Sequence, residues 1–321
     1  MTRILAAGLL AMLLALVAGP RFIRWLRGRN IGQNIRDLSP ERHQEKQGTP
    51  TMGGLLILAA AAIPYMIFAS KTVPSLVVFV LTFGSGAIGF LDDLAKVRQR
   101  RSLGLNGKTK MLLQLLLVLV VGWVAIRFAG VDSNVHVPLL NMEIPFGGVY
   151  FLVVFFVISG TANTVNITDG LDGLAAGTVA ICLLAYTGIT FMLKEPDLAV
   201  LAASLMGACV GFLWYNSFPA DLFMGDTGSL ALGAALAGFA VVTGTELLLV
   251  IIGGIFVVEG LSVIIQVVSF RVFGRRVLLM APIHHHFELK SWSETKIMVR
   301  FWIVTAIFAA AGFTVFYVDF F

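Results

Sequence analysis

Apolar residues run along this chain in long stretches, most near 20 residues, separated by shorter polar segments that carry Gly and Pro. A run of that length with few charges suits a helix crossing a hydrocarbon layer about 30 Å thick. The pattern predicts ten such helices, over residues 4–26, 53–69, 74–91, 111–128, 148–164, 174–193, 198–215, 229–242, 247–270 and 297–318. The eighth is short and rich in Gly and Ala, so its ends are the least defined. No polar segment is long enough for a soluble domain, and residues 1–321 read as one all-α, polytopic membrane domain. Ten spans place both termini on one side. The first apolar run could also serve as a secretory signal peptide. One basic residue precedes it and seven follow, the reverse of a signal's bias, so it reads as a retained helix.

Composition agrees with that reading. Hydrophobic residues make up 58% of the chain and charged residues 13%, against about 25% charged in a soluble domain. The mean hydropathy is +0.91 and the pI near 9.4. A basic pI can signal nucleic acid, but in a membrane protein basic loops report orientation. Of 23 Lys and Arg, 19 fall in or beside the loops after spans one, three and nine. Only Arg3, Lys71, Arg127 and Lys194 fall on the other face. The positive-inside rule then places both termini outside the cytoplasm and the basic loops within it. Cys182 and Cys209 lie inside apolar stretches, which argues against a disulfide framework.

The unusual polar residues share the basic face. Residues 89–96, GFLDDLAK, put Asp92 and Asp93 where the third span is expected to leave the lipid. Acidic groups are unfavourable at a helix C-terminus, and two carboxylates about 6 Å apart repel by roughly 3 kcal/mol at an effective dielectric near 20. Asp92 and Lys96 are spaced for an ordinary i, i+4 ion pair. That leaves Asp93 unexplained, whereas hard oxygen ligands suit Mg²⁺ or a phosphate-bound metal. NTVNITDGLDG supplies Asn163, Asn166, Asp169 and Asp172. Asp172 could cap span six and Asp226, in FMGDTGSL, span eight. Phe223 is either lipid-facing or a surface on which a base stacks. Three consecutive histidines, 284–286, point in different directions and suit contacts to phosphate better than one shared metal. Glu259 lies within span nine, where a carboxylate marks either function or a packed partner. Carboxylates, lysines (Lys46, Lys96, Lys108) and histidines at one membrane depth suit metal-assisted phosphoryl transfer between a soluble donor and a lipid acceptor.

FLDDLAKV, NGKTKMLLQ, NTVNITDGLDGLA, MGDTGSLALG and APIHHHFE, in that order, with PTMGG near Thr51, resemble the phospho-N-acetylmuramoyl-pentapeptide transferase family along essentially the whole chain. The resemblance implies transfer from UDP-N-acetylmuramoyl-pentapeptide to undecaprenyl phosphate, giving lipid I and UMP, with Mg²⁺ as cofactor. It implies a ten-span protein of the bacterial cytoplasmic membrane, its active site at the cytoplasmic face, forming homodimers and binding no nucleic acid. By motif, Asp92, Asp93, Asp226, Lys108 and His284 are implied to be catalytic, with Asp226 as the Mg²⁺ ligand. Lys46, Thr51, Lys96, Asn163, Asn166, Asp169, Gly170, Leu171, Asp172, Phe223, His285 and His286 are implied to bind substrate. The polyprenyl chain is implied to lie in a groove beside span nine. Two rivals are a sibling transferase acting on UDP-N-acetylglucosamine and an ion-coupled transporter. A transporter places its site near the midplane on broken helices, unlike these helix-end motifs.

Overall fold

The chain folds almost entirely into helices that follow the apolar runs. The computed structural model describes all residues except Asn30, 33–47, Arg100, Ser102 and Asn141. Lys46, implied above to bind substrate, lies outside the described residues. In chain order the helices are α1 (Thr2–Gly28), α2 (Gly54–Phe68), α3 (Val73–Gln99), α4 (Gly107–Phe128), α5 (Tyr150–Thr168), α6 (Leu174–Met192), α7 (Pro196–Asn216), α8 (Gly225–Thr243), α9 (Glu246–Ile252), α10 (Gly254–Phe273), α11 (Ile283–Leu289) and α12 (Glu294–Phe320). Nine of these, among the described residues, are long and apolar enough to cross a membrane. The chain is an all-α polytopic membrane protein. The expected second span is α2, whose 15 residues rise about 22 Å at 1.5 Å each.

Three local departures have physical causes. The expected ninth span is broken at Gly253 into α9 and α10. Gly254 there packs against the Phe308 ring, where a Cβ would lie 2.9 Å from it. The segment between α4 and α5 forms an antiparallel hairpin, β1 (Asn134–Val137) with β2 (Met142–Pro145). It is tied to α12 through His136 Nε2 and Leu139 N, 2.6 and 2.8 Å from the Asp319 carboxylate. Finally, α3 continues to Gln99, so Asp92 and Asp93 sit about two turns inside a helix rather than at its end.

Helices α6, α7 and α8 form the interior, where nearly every residue of α8 is buried. Their small side chains let backbones approach closely, the usual packing of helices in lipid. The tightest approaches surround the N-terminus of α8. Any side chain at Gly89 of α3 would strike the backbone of Asp226, and one at Gly54 of α2 would strike that of Gly228. These crossings carry the acidic motifs of α3 and α8 into contact.

Candidate active site

The extension of α3 puts Asp92, Asp93 and Lys96 on one helical face, turned inward, with both carboxylates buried. Asp226 meets them from the first turn of α8. Lys96 Nζ lies 2.7 Å from Asp92 Oδ2, 2.8 Å from Asp226 Oδ1 and 3.6 Å from Asp93 Oδ1. Lys110 Nζ, from α4, is 2.7 Å from Asp226 Oδ2. Asn166 of α5 donates to Asp226 Oδ1 at 3.0 Å and to Ser229 Oγ at 2.8 Å. Four helices, α3, α4, α5 and α8, thus converge on one carboxylate.

The three aspartates are held differently. Asp93 accepts from the backbone N–H of Asp226 (3.1 Å) and of Thr227 (2.9 Å) and from the Thr227 hydroxyl (2.7 Å). It therefore satisfies the free donors of the α8 N-terminus from another helix. Asp92 accepts from Leu105 N at 2.9 Å, and the 103–106 loop presses Gly104 against its carboxylate. Asp226 carries the two lysines. The sequence left open whether Asp226 caps α8, and the structure settles it: Met224 is the N-cap residue, and the Asp226 side chain points into the cluster. Asp172 is likewise not the cap of α6, a position held by Gly173 at φ 72°. Its Oδ2 accepts instead from Ala220 N at 3.0 Å.

Thr51 reaches the cluster because PTMGG pairs with the chain before α8. Phe223 N donates to Pro50 O (2.8 Å), Gly53 N to Phe223 O (2.8 Å) and Gly54 N to Met224 O (2.9 Å). Gly225 then turns with φ +75°, and a Cβ there would lie 2.7 Å from Asp93 Oδ2 and 3.1 Å from Thr51 Oγ1. Phe223 is half-buried beside this turn. Asp169 sits in the loop after α5 with Gly170 and the buried Leu171. Burial, and then the charges of Asp226, Asp93 and Asp172, push its carboxyl well above the usual range. Of the histidines, His284 is fully buried with Nδ1 3.0 Å from Glu259 Oε1. His285 Nδ1 faces Glu288 at 2.9 Å, and His286 Nδ1 accepts from Leu279 N at 3.1 Å.

Not every expected residue joins the cluster. Asn163 is tied to Gln114 Oε1 (3.2 Å) and Ser159 O (2.7 Å), one turn away from Asn166. Lys108 is exposed on the first turn of α4. Lys110, which sequence reasoning passed over, takes the inward position. A signal for it was present: Asn106 caps α4 through Thr109 N at 2.7 Å, and Lys110 continues the buried stripe of Gln114, Val118, Val121 and Ala125. Thr227 and Ser229 were also missed, because hydroxyls in an apolar run carry no distinctive spacing.

The donor set fits a hard divalent cation. Ligand oxygens of Asp92, Asp93 and Asp226 lie within 4.8 Å of one another, and carboxylates are what Mg²⁺ takes from a protein. Three carboxylates, Asp92, Asp93 and Asp226, meet two ammonium groups, Lys96 and Lys110, which leaves room for further positive charge.

The glycosyl transferase family 4 model matches residues 75–244, and residues 46–58 match phospho-N-acetylmuramoyl-pentapeptide-transferase signature 1. A phospho-N-acetylmuramoyl-pentapeptide-transferase of Rubrobacter xylanophilus is 46% identical over 313 residues, covering 96% of this chain and 95% of its own. One from Geobacillus sp. (strain WCH70) is 45% identical, covering 95% of both chains. One from Desulfitobacterium hafniense is 44% identical, covering 97% of this chain and 96% of its own. With full-length similarity at this level, and with the acidic motifs brought together in space, the chain belongs to the phospho-N-acetylmuramoyl-pentapeptide-transferase family, within glycosyl transferase family 4.

Proposed function

We infer that this membrane transferase moves phospho-N-acetylmuramoyl-pentapeptide from UDP-N-acetylmuramoyl-pentapeptide to undecaprenyl phosphate, giving lipid I and UMP. The family assignment supports the reaction. The single structural observation that carries the chemistry is the Asp226 carboxylate held between Lys96 and Lys110 beside Asp92 and Asp93. Asp226, with Asp92 and Asp93 beside it, would hold Mg²⁺. The bound ion supplies neutralisation of charge on the transferring phosphate.

The remaining work belongs to the side chains. A phosphate monoester has a second pKa near 6, so the lipid acceptor is largely a dianion at neutral pH and is itself a competent nucleophile. It needs orientation and charge balance. Lys96 and Lys110 supply the positive charge, and Asp92, fixed by Leu105 N, orients Lys96 and the incoming acceptor. Direct attack by the lipid phosphate follows, with no covalent enzyme intermediate. The 169–172 turn, Thr51 and Phe223 form the surface proposed for the nucleoside. We further place the protein in the bacterial cytoplasmic membrane as a single ten-span domain, its site facing the cytosol. A homodimer is carried by the family resemblance alone.

The test offers purified protein UDP-N-acetylmuramoyl-pentapeptide and UDP-N-acetylglucosamine separately, with undecaprenyl phosphate and Mg²⁺. Only the first is expected to give a lipid-linked product. Asp226→Asn, which keeps the shape and removes the charge, is expected to lower turnover by roughly 10²-fold or more in a folded protein. Product from UDP-N-acetylglucosamine alone moves the assignment to the sibling reaction.

A further inference from the structure

Glu259 belongs to no part of the cluster described above, yet its side chain is fully buried within a membrane-spanning helix. Among the described residues it meets one partner, His284, with Glu259 Oε1 3.0 Å from Nδ1. A carboxylate only accepts, so Nδ1 carries the hydrogen and the ring is fixed in one orientation. A second bond locks the same pair of elements: Ile283 N donates to Ser262 Oγ at 3.0 Å, one turn along α10. The other ends of both side chains are unsatisfied. His284 Nε2 and Glu259 Oε2 are buried and lack any hydrogen-bond partner among the described residues. A tie that served only to dock α11 on α10 has no use for two such orphans, each of which costs stability.

The direction of Nε2 gives it a task. It occupies the space that a side chain on Gly170 would fill. It therefore lies directly against the turn that carries Asp169 and Asp172. With Nδ1–H given to the carboxylate, Nε2 donates only when it too carries a proton, and Glu259 would then balance that charge in place. The matching partner is an anionic oxygen, the kind a phosphoryl group provides. We propose that Glu259 is a positioning residue that acts through His284, holding the ring so that Nε2 donates to a phosphoryl oxygen of the substrate bound at the 169–172 turn. This rests on the transferase reading for the identity of the substrate, while the Glu259–His284 pairing stands apart from it.

The experiment is a double-mutant cycle on the full-length protein with UDP-N-acetylmuramoyl-pentapeptide, undecaprenyl phosphate and Mg²⁺, paired with ¹⁵N-histidine NMR. Glu259→Gln is expected to lower kcat by about 10- to 100-fold, with the donor KM changed by less than about threefold. In a His284→Gln background the same change is expected to cost less than about twofold more, because a residue acting through a lost partner has nothing further to lose. Where the Gln variant does not fold, Glu259→Asp, which draws the charge back by one carbon, carries the same expectation. The resonance that disappears in His284→Gln identifies His284, and Glu259→Gln or Glu259→Asp is expected to shift it. Unchanged kcat, a full further loss in the His284→Gln background, or an unmoved His284 resonance each overturns the proposal. Should the wild type transfer neither UDP-sugar, the transferase reading fails, and the resonance alone still decides whether Glu259 sets the state of His284.

Discussion

At the scale of single residues, the two lysines of NGKTK separate what a sequence shows from what it hides. Two residues apart on a helix, they point about 200° apart, so only one can face the cluster. The N-cap at Asn106 sets the phase and gives the inward place to Lys110. Lys110→Ala removes one partner of a buried ion pair and leaves Asp226 under-compensated. It is expected to lower kcat by at least tenfold, while Lys108→Ala, at an exposed site, is expected to act mainly on the donor KM. Steady-state kinetics of the two variants checks this, and equal kcat losses would remove the distinction. Asp92, Asp93, Asp226 and Asn166 were legible because polar groups interrupting apolar runs stand out. Their division of labour was not. Adjacent aspartates look alike in sequence, and only the path of α8 shows that one of them serves its backbone.

At the scale of elements, the start of α8 is the joint on which the site depends. Asp93 binds it from α3, the PTMGG segment pairs with its leading turn, and Gly89 and Gly54 let two helices close on it. Gly225 at φ +75° admits no side chain, both because the left-handed region costs an L-residue about 1–2 kcal/mol and because a Cβ would press on Asp93. Gly225→Ala is expected to lower stability by at least that amount and to reduce turnover further by displacing Asp226. Thr227→Val, which loses one hydrogen bond to Asp93, is expected to cost about 1–2 kcal/mol. Thermal unfolding in detergent measures both, and a Gly225→Ala protein with native stability would contradict the role given to this turn. Hydropathy located α8 only as a short span beginning near residue 229. The missing turn contains Gly225, Asp226 and Thr227, whose polarity hid the first turn of the helix that holds the site. The break at Gly253 was hidden for the opposite reason, since apolar residues continue across it.

At the scale of the whole molecule, the all-α membrane architecture was readable from apolar run lengths alone, because lipid permits few alternatives. Orientation rests on charge. The ten-span reading of the sequence assigns 19 of 23 basic residues to one face, so a reporter fused after Phe321 is expected outside the cytoplasm and one inserted near Arg98 inside it. Finding both on one side would mean that a span is miscounted, and α2, the shortest, is where to look first.

The proposed chemistry is positioning and charge neutralisation, with the lipid phosphate as nucleophile. Asp93 is tied to the start of α8, Asp92 is pinned by Leu105 N and Lys96, and Asp226 is held by two lysines. The most direct measurement incubates the protein with Mg²⁺, UDP-N-acetylmuramoyl-pentapeptide and labelled UMP, rigorously free of polyprenyl phosphate. Direct attack predicts no label in the nucleotide sugar. Label entering it at a rate near normal turnover would rule out direct attack and make an aspartate the nucleophile.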